Sequence, residues 1–180
     1  HMKRSAAAEM MDSSDNPREL LEEDLRNLRR LNRYLGGARC VRYGIAQVVR
    51  RLNLRHLTVL DVGAGSGDIA AEIARWCRHN QIKPTVVSLD RDPVTVAVAA
   101  KQVAGWPEIA VLRGDAAAPP FAPKRFDCVL ASQFLHHFSE AMVVALLQTW
   151  ATQARRAIIV SDLVRHPLAS PCPKCGTAVE

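Results

Sequence analysis

The stretch Thr58 to Asp68, TVLDVGAGSGD, constrains this chain more than any other. A short β-branched and apolar run leads into an acid, Asp61. Glycines then follow at alternate positions, Gly63, Gly65 and Gly67, before an amphipathic run opens at Ile69. That order reads as a buried strand, a tight turn and a helix start. Glycine suits such a turn because it tolerates positive φ and lets the backbone approach a ligand closely, while the helix beyond offers free N–H groups and the positive end of its dipole. A nucleotide-type site at the carboxyl end of the first strand is the expectation. The spacing G-x-G-x-G differs from the G-x-G-x-x-G of dinucleotide sites, and the chain has no Tyr-x-x-x-Lys pair, so a nicotinamide cofactor is not expected.

Downstream, hydrophobic periodicity alternates helix and strand. Ile69, Ala70, Ile73, Ala74 and Cys77 mark a crossover helix, and Thr85 to Asp90 reads as a second strand ending in an acid. Asp92-Pro93 caps a helix from Val94 to Ala104, Ile109 to Leu112 is a third strand, and Phe126 to Ser132 a fourth. Ser139 caps a further helix, with Met142, Val143, Leu146, Leu147 and Trp150 expected to be buried, and Arg156 to Asp162 is a fifth strand. Such alternation predicts an α/β, Rossmann-like doubly wound and mostly parallel sheet in three layers. Upstream, Asn16-Pro17 with Glu19 has the form of a capped helix start, and leucines from Leu21 to Leu35 continue it to Gly36-Gly37. A second helix is predicted from Arg39 to Leu52. Tyr34 and Tyr43 are read as core residues or as lining for a pocket.

The boundaries follow from these elements. Residues 1–15 read as a mobile leader opening on a cloning remnant, 16–57 as a helical segment, 58–165 as the core and 166–180 as an irregular tail. The apolar share of 48% can fill one domain's core across 180 residues. No run of 18 apolar residues suggests a membrane span. Five cysteines, with Cys40, Cys77 and Cys128 in apolar contexts, suggest reduced thiols and a cytoplasmic setting. Cys172 and Cys175 form a lone C-x-x-C without the second pair a zinc site needs, so no metal is expected. The net charge of +6 is concentrated in arginines between Arg26 and Arg55, which read either as a solvated helix face or as an anion-facing stripe.

The glycine turn preceded by Asp61 resembles motif I of class I S-adenosylmethionine (SAM)-dependent methyltransferases. Gly114-Asp115-Ala116 after the third strand and Gln133 to Phe138 after the fourth extend the resemblance over roughly Thr58 to Asp162. They bring it closest to the ubiquinone and menaquinone biosynthesis type and its small-molecule relatives. The resemblance implies SAM as cofactor and S-adenosylhomocysteine as product. It assigns Gly63, Ala64, Gly65 and Gly67 to the methionine part, Asp61 to its amino group, Asp90 with Arg91 to the ribose side, and Asp115 and Ala116 to adenine. Ser132 closes the set at the end of the fourth strand. His137, and after it His136, are the acid/base candidates, because an imidazole near neutral pKa can take a phenolic or activated carbon proton. Ala131-Ser132-Gln133-Phe134 stands where base-amino methyltransferases carry Asn or Asp before Pro-Pro and an aromatic, so nucleic acid is not an expected partner. The implied acceptor is a small phenolic, quinone-like or polyketide-like molecule; a SAM-binding but inactive module is the alternative. The family's sheet ends in an antiparallel hairpin that this chain lacks, which leaves the fifth strand as an edge and predicts a homodimer through it.

Overall fold

The computed structural model describes residues 37–162. The helix expected from Asn16, Tyr34, the leader and the Cys172/Cys175 tail lie outside the described residues. Helix α1 runs over Gly37–Leu52 and buries Val41, Ile45, Ala46 and Val49 on one stripe. Strand β1 (His56–Val62) leads into α2 (Asp68–His79), β2 (Lys83–Asp90), α3 (Pro93–Gln102) and β3 (Ile109–Arg113). Strand β4 (Phe126–Ser132), a single 3-10 turn at Leu135–His137, α4 (Glu140–Gln153) and β5 (Ala154–Ser161) complete the order.

The sheet is parallel throughout in the order β3-β2-β1-β4-β5. The chain winds from β1 toward β3, returns, and winds the other way from β4, so the sheet reverses between β1 and β4. In open α/β sheets a ligand crevice forms at such a reversal, outside the strands' carboxyl ends. Strands β1 and β4 are buried on both faces over most of their length, as central parallel strands are. Period-two alternation then splits their side chains. Leu57, Val59, Cys128 and Leu130 pack with α1 and α2, while Leu60, Val62, Val129 and Phe126 pack with Leu146 and Trp150 of α4. Asp61 shares the face of Val59.

The strands' other ends are tied electrostatically. Asp127 Oδ2 accepts from the Thr58 amide at 2.9 Å and from its hydroxyl at 2.8 Å, and Oδ1 accepts from Arg156 Nε at 3.2 Å. Burial pushes this carboxyl up, but the Thr58 bonds and the arginine charges outweigh it and hold the group below its usual range.

Three expectations need correction. Tyr43 is not a core residue: it is 67% exposed on α1 and lines a surface hollow with Arg39, Arg50 and Trp76. Met142 is 45% exposed because α4 is apolar nearly all round and covers the sheet with only one side. Cys40 is exposed, whereas Cys77 and Cys128 are buried free thiols, burial pushing each up to about 12. Among the described residues no helix is long and apolar enough to cross a membrane.

Candidate active site at the carboxyl ends of the strands

The turn after β1 has the backbone its glycines suggest. Gly63, Gly65 and Gly67 all lie at positive φ, at 63°, 54° and 75°. At two of them space is also tight. A Cβ on Gly67 would lie 3.1 Å from Val103 Cγ1, and one on Gly63 would lie 2.2 Å from Phe134 Cδ2. The amides of Gly63 and Ala64 both donate to the carbonyl of Leu89, at 2.9 and 3.2 Å, which locks the turn to the end of β2.

Asp61 stands beneath that turn, 1% exposed. Its Oδ2 is buried and has no hydrogen-bond partner among the described residues, and the same holds for Ser88 Oγ on the adjoining strand and Ser132 Oγ at the end of β4. Burial first, then the nearby charges of Asp68 and Asp90, push the Asp61 carboxyl well above the usual carboxylate range. A buried carboxyl oxygen without a partner costs stability unless a cation or donor arrives.

Asp90 ends β2 and is organised differently. Its Oδ2 accepts from Gly65 N at 3.1 Å and its Oδ1 from Asp92 N at 3.0 Å. Burial raises its carboxyl, and those backbone bonds offset only part of the rise. The Arg91 backbone also lowers it by a hydrogen bond, and since a carboxylate has about four lone-pair sites, not all are filled. Arg91 is exposed, and its carbonyl accepts from Arg113 Nε at 3.1 Å. Beyond β3, Gly114 N donates to Asp90 O at 2.9 Å. Asp115 is exposed, and its Oδ1 accepts from Ala117 N at 2.8 Å.

The fourth strand ends in a sharp corner. Gln133, a non-glycine residue at φ 50°, donates its amide to Ser161 O at 2.7 Å and throws Phe134 onto the glycine turn. The 3-10 turn follows, with the rings of His136 and His137 4.1 Å apart. Asp162, just past β5, holds this turn. Its Oδ2 accepts from the amides of Leu135 and His136 at 2.8 and 3.2 Å, and its Oδ1 lies 2.6 Å from His136 Nδ1. Asp162 was not among the residues singled out from the sequence. The available signal was an acid ending the strand next to the one that carries the paired histidines.

The arrangement thus gathers Asp61, Gly63, Asp90, Asp115, Ser132 and His136 at one end of the sheet, around its reversal. The sequence matches the family described as methyltransferase domain over residues 59–156, more than half of the chain. The chain belongs to that methyltransferase domain family. Solved structures agree in fold. A candidate SAM-dependent methyltransferase from Methanococcus maripaludis aligns at TM-score 0.62 with 16% identity, covering 82% of this chain and 66% of that one. A SAM-dependent methyltransferase from Aquifex aeolicus aligns at 0.57 with 21% identity, covering 71% and 68%. A candidate sarcosine dimethylglycine methyltransferase from Galdieria sulphuraria aligns at 0.54 with 21% identity, covering 67% and 43%. This chain therefore spans about two thirds or less of those proteins' own lengths. No curated protein sequence matches it.

Two of those structures are of proteins named for their dependence on SAM. The residues fit it on structural grounds. The Asp61 oxygen, without a partner among the described residues, would accept from an ammonium group, whose charge favours the ionised carboxyl, and the open lone pairs of Asp90 suit neutral hydroxyl donors.

Proposed function

We propose that this chain catalyses SAM-dependent methyl transfer to a small acceptor of phenolic, quinone-like or polyketide-like chemistry. The observation that carries the reading is Asp61: a buried carboxyl oxygen, without a partner among the described residues, directly under a three-glycine turn. Bound SAM supplies an electrophilic methyl on a sulfonium. Asp61 would hold the amino group, the glycine turn the methionine backbone, Asp90 the ribose and the Asp115-Ala116 loop the adenine. Fixing the reactants in line lowers the barrier with little side-chain chemistry, because alignment alone can contribute several kcal/mol.

His136 is the proposed base. A carboxylate only accepts, so its contact with Asp162 puts the proton of a neutral imidazole on Nδ1 and leaves the lone pair on Nε2. That nitrogen can take the proton of an acceptor hydroxyl or activated C–H as the new bond to carbon forms. The sequence alone ranked His137 first; the Asp162 pairing favours His136.

Two further parts of the reading concern context. The outer edge of β5 is proposed to pair with a second copy, and the buried thiols of Cys77 and Cys128 support a reducing, cytoplasmic setting. The second reading is a SAM-binding module without turnover.

Calorimetric titration with SAM and S-adenosylhomocysteine, then transfer of labelled methyl to a panel of phenols, quinols and β-dicarbonyl compounds, tests the proposal. The expected result is binding and transfer, with Asp90→Ala weakening cofactor binding by roughly 2 to 4 kcal/mol. Binding without transfer to any acceptor would favour the module; an Asp90→Ala variant that binds as tightly as the parent would remove the ribose assignment.

A further inference from the structure

Trp150 lies on α4, across the sheet from α1 and α2, and is fully buried. Its indole N–H donates to the carbonyl of Ala116 at 2.9 Å. Its ring lies against Phe134, centroids 6.2 Å apart and planes inclined by 34°. Phe134 in turn rests on Gly63 so closely that no side chain could stand between them. One residue therefore reaches the loop after β3 directly and the turn after β1 through a single ring.

A buried indole N–H needs a partner, and a core tryptophan usually finds a carbonyl within a neighbouring helix or strand. Here it takes a loop carbonyl. That loop shapes itself with local bonds: Asp115 Oδ1 accepts from Ala117 N at 2.8 Å and Asp115 O from Ala118 N at 3.1 Å. Its attachment to the body of the domain is a different matter, carried by Gly114 N to Asp90 O at 2.9 Å on one side and by Trp150 to Ala116 on the other.

We propose that Trp150 is a positioning residue of the cofactor site: its N–H sets the adenosine-side loop at Ala116, and its ring backs Phe134 against the methionine-side turn at Gly63. This rests on the SAM reading above, and it adds a residue that touches no reacting atom. The two functions of the side chain are separable. Removing the N–H while keeping a ring loosens the adenosine side; removing the Phe134 ring loosens the methionine side.

The test is calorimetric titration of the parent, Trp150→Phe, Phe134→Leu and Leu146→Ala with two probes, S-adenosylhomocysteine and 5′-methylthioadenosine, which has the adenosine end but no amino-acid end. Trp150→Phe is expected to weaken both probes by about tenfold, the worth of one buried hydrogen bond. Phe134→Leu is expected to weaken S-adenosylhomocysteine and leave methylthioadenosine unchanged. Leu146→Ala opens a cavity one helical turn from Trp150, so it is expected to lower the melting temperature without moving either affinity. A parent that binds neither probe overturns the cofactor reading itself. With the parent binding, Trp150→Phe equal to it for both probes overturns the positioning role. So does Leu146→Ala weakening both as strongly. If Trp150→Phe is too unstable to titrate, Phe134→Leu decides: equal weakening of both probes overturns the separation of the two ends.

Discussion

Asp162 holds His136 by both ring and backbone: one carboxylate oxygen lies 2.6 Å from Nδ1 and the other accepts the same residue's amide at 3.2 Å. His136→Ala is therefore expected to lower kcat by about 100- to 10,000-fold, the range for a lost general base, while cofactor affinity stays at the parent's value. Asp162→Asn should lower kcat in the same direction, because with its amide oxygen accepting from the turn its NH2 would donate to Nδ1, which puts the ring proton on Nε2 and removes the base. His137→Ala should have a small effect. Single-turnover kinetics with an acceptor found in the panel is the check, and a large loss for His137→Ala with none for His136→Ala would reverse the assignment.

The glycine turn and the strand-end acids were legible because each is local. Gly63, Gly65 and Gly67 announce positive φ, and Asp61 and Asp90 sit at the ends of β-branched runs whose length fixes where the strands stop. Asp162 was harder to read. Its contact with His136 spans 26 residues and depends on β5 pairing beside β4, a topology that periodicity does not encode. The burial of Trp150 was legible, but the contacts of Phe134 with Gly63 and with Trp150 were not: the left-handed corner at Gln133, a residue type that seldom adopts it, redirects the chain onto Gly63. Tyr43 was misjudged because aromatic residues at helical spacing usually face a core, and here that stripe of α1 faces outward.

Asp61 links function to stability with a definite sign. Its folded carboxyl lies above its unfolded value, so the folded protein binds this proton more tightly. The stabilisation is complete below the unfolded pKa of about 3.9 and is lost as pH rises through the folded value. At neutral pH the unfolded chain ionises this group freely, whereas the folded protein must either keep its proton or hold a charge out of water, and both cost stability. Asp61→Asn should therefore melt at a higher temperature than the parent near pH 7 to 8, with the gap closing as pH falls, and should bind SAM far more weakly. Thermal melts of both proteins across pH would settle it, and an Asp61→Asn variant less stable than the parent at pH 8 would show that the carboxylate has a partner in solution.

Gly63 is expected to be intolerant of any side chain for two separable reasons. A residue other than glycine at φ 63° costs about 1 to 2 kcal/mol, and a methyl group would collide with the Phe134 ring. Gly63→Ala should lose both stability and cofactor binding. Adding Phe134→Ala to Gly63→Ala removes the collision but not the backbone strain, so the pair should be less destabilised than the sum of the single variants. A double-mutant cycle by chemical denaturation measures the coupling; strict additivity would mean the ring yields without cost.

The sheet's last edge carries the prediction about assembly. Strand β5 pairs with β4 along Phe126 to Ser132, and among the described residues no strand pairs with its other side. Its faces are covered better than its edge: Ile159 packs under Gly44 of α1 and Ile158 joins the cluster around Trp150, while Val160 is 45% exposed. An unpaired strand end with an exposed valine favours strand addition, and a two-fold axis through β5 would let two copies pair antiparallel and continue the sheet. Arg155 and Arg156 lie toward the strand's start and are engaged by the Arg125 carbonyl and Asp127, so they do not oppose this approach as free charges would. The parent is expected to be dimeric by light scattering at high micromolar concentration, and Val160→Lys to be monomeric with an unchanged melting temperature at low concentration. A monomeric parent whose β5 amides nevertheless exchange slowly would show that another segment of the chain protects the edge, and the dimer would have to be abandoned.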